Sequence, residues 1–290
     1  MVALVAFVVG GAVSAALWRG LAPQWRASDV LRRANYRGHE LPVASGVVIV
    51  LAVLVASAGY LLVAGFTGLT GTEAQRLAAL TAGGTVGFGL IGLLDDLIGA
   101  TSTKGFRGHL GAVARGQVTT GLVKLVWGVL IGMLAVPAGG WATVRGGLLV
   151  AATANLGNLF DRAPGRAVKV SLLGGILVVV LGAPSWELAG PLLVLGAGAG
   201  LLVPDLRERC MIGDTGSNVL GAAVGYGLVV ACGATGEWIA LALVLALNLL
   251  SETVSFTTVI DATPPLRALD RLGTLPERRA WGRSDGHTAV

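Results

Sequence analysis

Apolar residues in this chain fall in blocks of 16–24, separated by shorter segments rich in arginine and glycine. Helices need about 20 apolar residues to cross the hydrocarbon core of a bilayer. The pattern therefore predicts about nine transmembrane helices, near 1–18, 43–65, 76–95, 118–137, 145–160, 169–184, 187–203, 215–233 and 237–259. The fold class expected is all-α and polytopic. The first block lacks a basic stretch before its apolar run, so it reads as a retained helix rather than a cleaved leader. Residues 1–260 are expected to form the transmembrane domain. Residues 261–290 are expected to form a cytoplasmic tail with a short interfacial helix.

Composition agrees with this reading. The chain is 54% hydrophobic and 13% charged, against about 25% charged in soluble domains. Of its 21 lysines and arginines, 18 lie in segments 19–42, 96–117, 161–169, 204–214 and 260–290, which alternate spans place on one side. The positive-inside rule then sets the N-terminus outside and the C-terminus in the cytoplasm of a multi-pass inner-membrane protein. The net charge of +5 follows from this topology. No basic, aromatic-laced domain is present to bind nucleic acid. Cys210 and Cys232 are separated by a span length and form no CxxC or Cys/His cluster, which excludes a disulfide or a zinc site.

Carboxylates placed within or beside apolar runs are the candidates for chemistry, because each is costly in a membrane. Asp95 and Asp96 close the third block. Asn155, Asn158 and Asp161 close the fifth, spaced toward one side of a helix. Asp214, in Gly213-Asp214-Thr215-Gly216-Ser217, opens the eighth, where it can also act as a plain helix cap. With the expected topology all three clusters reach the cytoplasmic face. Their hard oxygen donors suit Mg²⁺, which takes one or two carboxylates and completes its shell with water and phosphate. Lys104, Arg107, Arg115, Arg162, Arg166 and Lys169 lie nearby in sequence and suit phosphate recognition. Carboxylates, a divalent ion and cations at a membrane surface suggest transfer of a phosphorylated group to a lipid phosphate. Other readings remain: Asn155 and Asn158 as interhelical hydrogen-bond partners, and Asp95 and Asp96 as partners of interfacial arginines. Glu252, placed inside the ninth span, pairs with Lys124 or lines the cleft.

The run GLLDDLIG, the NxxNLxD of Asn155–Asp161 and the GDTGS of 213–217 resemble, in order and spacing, the signature motifs of the polyprenyl-phosphate N-acetylhexosamine-1-phosphate transferases. The resemblance covers roughly residues 35–270. It implies Mg²⁺-dependent transfer of a sugar-1-phosphate from a nucleotide-sugar, such as a UDP-N-acetylhexosamine, to polyprenyl phosphate in cell-wall and peptidoglycan synthesis. It implies Asp214 as the leading metal ligand, with Asp95 and Asp96 deprotonating or positioning the lipid phosphate and touching the metal. Asn155, Asn158 and Asp161 would shape the donor pocket, and a homodimer is common in such enzymes. Two departures stand out. The family's small acidic continuation after NxxNLxD is replaced by Arg162-Ala163-Pro164-Gly165-Arg166-Ala167-Val168-Lys169. The family's C-terminal histidine cluster is also missing, leaving Arg267 and Arg271 as candidate diphosphate binders. These departures motivate a second expectation, a non-catalytic relative that binds lipid or scaffolds envelope assembly.

Overall fold

The computed structural model of the protein describes residues 1–68, 71–98, 120–182 and 185–280. Among these, nine helices of 16 residues or more fall where the apolar blocks predict them. They are α1 (Val2–Ala27), α2 (Val47–Thr67), α3 (Thr72–Ile98), α4 (Thr120–Ala135), α5 (Gly140–Phe160), α6 (Arg166–Gly182), α7 (Ala189–Leu206), α8 (Gly213–Ala231) and α9 (Ala234–Leu250). Three short helices follow: α10 (Phe256–Ala262), α11 (Pro264–Arg271) and α12 (Pro276–Ala280). Residues 261–280 thus hold two helices, α11 and α12, after the last turn of α10.

Four helices are long and apolar enough to cross a membrane: α1, α2, α3, and α7 with the preceding 3₁₀ turn Trp186–Leu188. The outward faces of these and of the shorter apolar helices α6 and α9 are those of a multi-pass membrane protein. Val8, Leu62, Val180 and Leu243 are each more than half exposed. Apolar exposure on this scale suits lipid and not water.

The centre of the bundle has a different composition. α8 carries Thr215, Ser217, Asn218 and several glycines, yet most of its residues are buried. It packs against α3, α5, α6 and α7. A helix enclosed by protein on most sides has no need of a lipid-facing surface, so its apolar signal is weak while its small residues allow close approach. α1 lies along α7, with Gly10 against the backbone at Leu193 and Gly196 against that of Phe7.

One element departs from the all-α expectation. β1 (Arg32–Ala34) and β2 (Glu40–Pro42) form a short antiparallel hairpin, with Arg32 opposite Pro42. The hairpin docks through Glu208 of the loop after α7. That carboxylate accepts from Asn35 Nδ2 at 2.8 Å, the Tyr36 hydroxyl at 2.9 Å, and Arg37 Nε and Nη2 at 3.1 and 2.7 Å. Glu208 itself has φ +51°, a left-handed conformation that costs a non-glycine residue energy. Its four hydrogen bonds offset that cost. Burial and the bond to Glu208 push the Tyr36 phenol up to about 12.

Beyond the hairpin the chain pairs with the segment that leads into α8. Met211 N donates to Pro42 O, Ser45 N to Met211 O, and Gly46 N to Ile212 O. The hairpin therefore braces the approach to Asp214. The ninth helix ends earlier than its apolar run suggests, at Leu250, so Glu252 lies in the following turn and not inside a span.

Candidate active site

The ends of α3, α4, α5 and α8 meet at one point. Lys124, from the otherwise apolar α4, places its ammonium between two carboxylates. It donates to Asp95 Oδ2 on α3 and to Asp214 Oδ2 on α8, the latter at 2.5 Å. Asn158 Nδ2 on α5 donates to the same Asp214 oxygen at 2.9 Å. The three side chains of the ion pairs are each about a quarter exposed, Lys124 at 25%, Asp95 at 28% and Asp214 at 24%. The cluster is thus partly sheltered but reachable from outside.

Asp96 has a different position from its neighbour. Its Oδ1 accepts from Asp214 N at 2.9 Å, and its Oδ2 accepts from Thr215 N at 3.0 Å and Thr215 Oγ1 at 2.6 Å. It is 9% exposed. A carboxylate on the free N–H groups of a helix start satisfies them and complements the helix dipole. Asp96 therefore caps α8 from another helix. Asp214 occupies the first turn of α8 rather than the capping position, which falls on Ile212. This frees the Asp214 side chain to face Lys124 and Asn158.

Two glycines make the junction possible. A Cβ at Gly92 would collide with the backbone of Asp214 and Thr215, so α3 can lie against the start of α8 only without one. Gly213 has φ +66°, and a Cβ there would meet the Asp96 carboxylate.

The remaining sequence candidates separate into groups. Asp161 follows the end of α5, half-buried. Burial, with the charges of Asp205, Asp214 and Asp96, pushes its carboxyl well above the usual range. Arg162 is exposed beside it. Asn155 does not join the cluster. It donates to Asn248 Oδ1 on α9 at 2.6 Å, while Asn248 bonds the carbonyls of Ala152 and Val244. Three residues beyond Asn155, Asn158 is turned far enough round α5 to face a different neighbour.

Arg166 and Lys169 are engaged by the tail. Arg166 is 2% exposed and makes a two-pronged pair with Asp270 of α11 at 2.7 and 3.1 Å, and its Nη1 donates to Thr257 Oγ1 at 2.8 Å. Lys169 Nζ donates to the carbonyls of Leu269, Asp270 and Leu272, which end α11. Cations suit those carbonyls, which carry the negative end of the helix dipole. Arg278 adds a contact to Asp270 at 3.3 Å. Burial alone would raise the Asp270 carboxyl, but the hydrogen bonds and charge of Arg166, with Arg278 and Lys169, hold it below the usual range. Arg166 and Lys169 of the cationic stretch 162–169 therefore anchor the C-terminal helices. Arg267 donates to the Asp261 carbonyl at 3.0 Å and Arg271 to its carboxylate at 3.2 Å, so both link α11 to α10. Lys104, Arg107, Arg115 and His109 lie outside the described residues.

Lys124 is the site residue that the motif reading passed over. Its signal was present in the sequence: a single charge inside the apolar run TGLVKLVWGVLIG. An ionisable residue at such a position is a functional candidate by default.

The fit for a divalent ion follows from the donor set. Asp214 and Asp95 bring hard carboxylate oxygens from two helices to one partly open place, where the Lys124 ammonium now bridges them and Asn158 turns its amide nitrogen to Asp214. Among the described residues no three acidic, histidine or cysteine side chains converge on a common point. The protein can thus supply part of a shell and leave the rest to water and phosphate, which is how Mg²⁺ is usually held.

Two comparisons bear on this geometry. A phospho-N-acetylmuramoyl-pentapeptide-transferase from Moorella thermoacetica is 36% identical over 163 residues, 49% of this chain and 49% of that protein. The chain spans about half the length of this curated relative. Residues 77–232 match glycosyl transferase family 4, an interval that runs from α3 to the end of α8 and holds Asp95, Asp96, Lys124, Asn158, Asp161 and Asp214. The chain belongs to glycosyl transferase family 4.

Proposed function

We propose that the protein transfers a sugar-1-phosphate from a nucleotide-sugar to polyprenyl phosphate, with a divalent ion, at the cytoplasmic face of the inner membrane. The nine long helices would be its spans, with the N-terminus outside. One observation carries the reading: side chains from three separated motifs and one intramembrane lysine meet at the Lys124–Asp95–Asp214–Asn158 cluster. The name of the Moorella relative and the family match support the same class of reaction.

In such a transfer an oxygen of the lipid phosphate bonds to the β-phosphorus of the donor. The bond from that phosphorus to the bridging oxygen breaks, and a nucleoside monophosphate leaves. Asp214 and Asp95 would hold the ion, with Asn158 orienting Asp214, and the ion when bound would neutralise developing charge on the phosphoryl oxygens. Lys124 balances two carboxylates in the resting site, and its ammonium is placed to receive phosphate oxygens that displace them. Asp95, open on one side, is placed to orient the lipid phosphate or take its proton. Asp96 acts as a positioning residue, because it fixes the first turn of the helix that carries Asp214. Asp161 and Arg162, which follow α5 beyond Asn158, would meet the donor. Arg166 and Lys169 are committed to the tail and take no part in binding substrate.

The test is a panel of nucleotide-sugars with polyprenyl phosphate and Mg²⁺, read by release of nucleoside monophosphate. At least one donor is expected to turn over, with the release abolished in Asp214→Ala and in Asn158→Ala. No turnover of any donor by folded protein would overturn the proposal and favour the lipid-binding scaffold.

A further inference from the structure

A cavity of about 420 Å³ lies between the end of α1, the hairpin and the loop after α7, apart from the Asp214 cluster. Its walls mix apolar and cationic side chains. Trp18, Leu41 and Pro42 form an apolar part, and Arg26, Arg32 and Arg209 a cationic part. Trp18 and Arg26 are eight residues apart on α1, about 12 Å along a helix axis. The cavity therefore runs from the apolar body of a membrane helix to its polar end.

The arginines keep N–H groups to spare. Arg26 uses Nε on the Ala22 carbonyl, and Arg32 uses one nitrogen on the Arg26 carbonyl. Arg32 also faces the exposed Asp29 at 3.6 Å. The Arg209 side chain makes no hydrogen bond or ion pair among the described residues. Two acids also line the cavity. Glu208 is already taken by Asn35, Tyr36 and Arg37, which leaves Glu40 against three guanidinium groups. Converging guanidinium groups bind phosphate oxygens in pairs.

We infer that this cavity binds the phosphate headgroup of an anionic membrane lipid, with the headgroup on Arg26, Arg32 and Arg209 and its glycerol stem along Trp18, Leu41 and Pro42. A soluble phosphate would use only the cationic end. Trp18 and Arg26 belong to α1, a helix long and apolar enough to cross a membrane, so the cavity lies at the end of a span, where an anionic lipid is at hand. The inference rests on the membrane setting of α1 and not on the transfer reaction. It also places a ligand beside the backbone that leads to Asp214, since Pro42 O accepts from Met211 N at 2.8 Å.

The experiment uses the full chain in detergent, loaded with phosphatidylglycerol or phosphatidylcholine and read by native mass spectrometry. Wild type is expected to retain phosphatidylglycerol over phosphatidylcholine. Arg26→Gln/Arg209→Gln is expected to lower that retention about tenfold, equivalent to about 1.4 kcal/mol. Arg209→Gln alone, at an exposed position with no side-chain partner among the described residues, is expected to lower it in the same direction and covers the case of a misfolded double variant. Arg207→Gln, an exposed arginine outside the cavity, and Asp214→Asn are expected to retain lipid as wild type does. Unchanged retention in Arg209→Gln and the double variant would overturn the proposal. So would equal loss in Arg207→Gln, or displacement of the lipid by excess inorganic phosphate, which would assign the cavity to a soluble anion.

Discussion

Replacing Lys124 with methionine keeps most of the side-chain volume and removes the charge. In the native site its ammonium touches both Asp95 and Asp214. Two oxygens on one ammonium lie no more than about 5 Å apart, and unit charges at that distance interact by about 3 kcal/mol at an effective dielectric of about 20. Removing the cation turns two attractions into one repulsion. The partial exposure of the three groups, and the option of protonating one carboxylate, reduce the net effect. We expect Lys124→Met to destabilise the protein by about 2–4 kcal/mol, in line with breaking a buried pair from one side. Adding Asp95→Asn should recover about 1–3 kcal/mol, because the repulsion then disappears. The assay is reversible denaturant unfolding in detergent micelles for wild type, both single variants and the double variant. Additive losses, with no recovery in the double variant, would refute the view that Lys124 compensates the two acids. Lys124→Met should also abolish turnover in the nucleotide-sugar assay, and Lys124→Arg, with a different donor geometry, should restore stability more than activity.

Asp96→Ala should cost about 2–3 kcal/mol, since three hydrogen bonds to a charged acceptor at a helix start are lost; hydrogen exchange should show faster opening of residues 213–217. Asn155→Ala should leave turnover within about threefold of wild type while costing about 1 kcal/mol of stability, and Asn158→Ala should abolish turnover, so equal effects on activity would contradict the separation of the two asparagines. Arg166→Met should release the tail, seen as new protease cleavage within 264–280, with a cost of about 3 kcal/mol that shrinks when Asp270→Leu is added. Asp270 has a depressed folded-state carboxyl, so its contribution is full above the unfolded value near 3.9 and is lost as pH falls through the lower folded value; tail protection by hydrogen exchange should accordingly persist at pH 5 and fail in strong acid, and a tail that stayed protected there would count against the ion-pair clamp.

Most of the architecture was legible in the chain because a bilayer imposes a length and a polarity on every lipid-facing helix. The blocks 76–95, 145–160 and 215–233 all became helices, Thr72–Ile98, Gly140–Phe160 and Gly213–Ala231, the first two running beyond their apolar runs. The strand hairpin was not legible. Residues 32–42 carry no alternating apolar pattern, and their conformation depends on Glu208, more than 160 residues away. The cationic stretch 162–169 also misled when read alone. An arginine prepared for a phosphate and an arginine paired with a distant aspartate look the same until Asp270 is brought beside Arg166.

The sequence by itself pointed to a polytopic helical protein and grouped Asp95, Asp96, Asn155, Asn158, Asp161 and Asp214 at one membrane face, because hydrophobic length and motif residues can be read along the chain. Only the tertiary structure decided the different roles of Asp95 and Asp96, adjacent in the chain but separated by 100° of helix rotation. One meets Lys124, and the other caps α8. Only the fold, too, put a lone lysine from α4 between two carboxylates. Charges in a low-dielectric site must find partners, and which partner each finds depends on distances that no local pattern encodes.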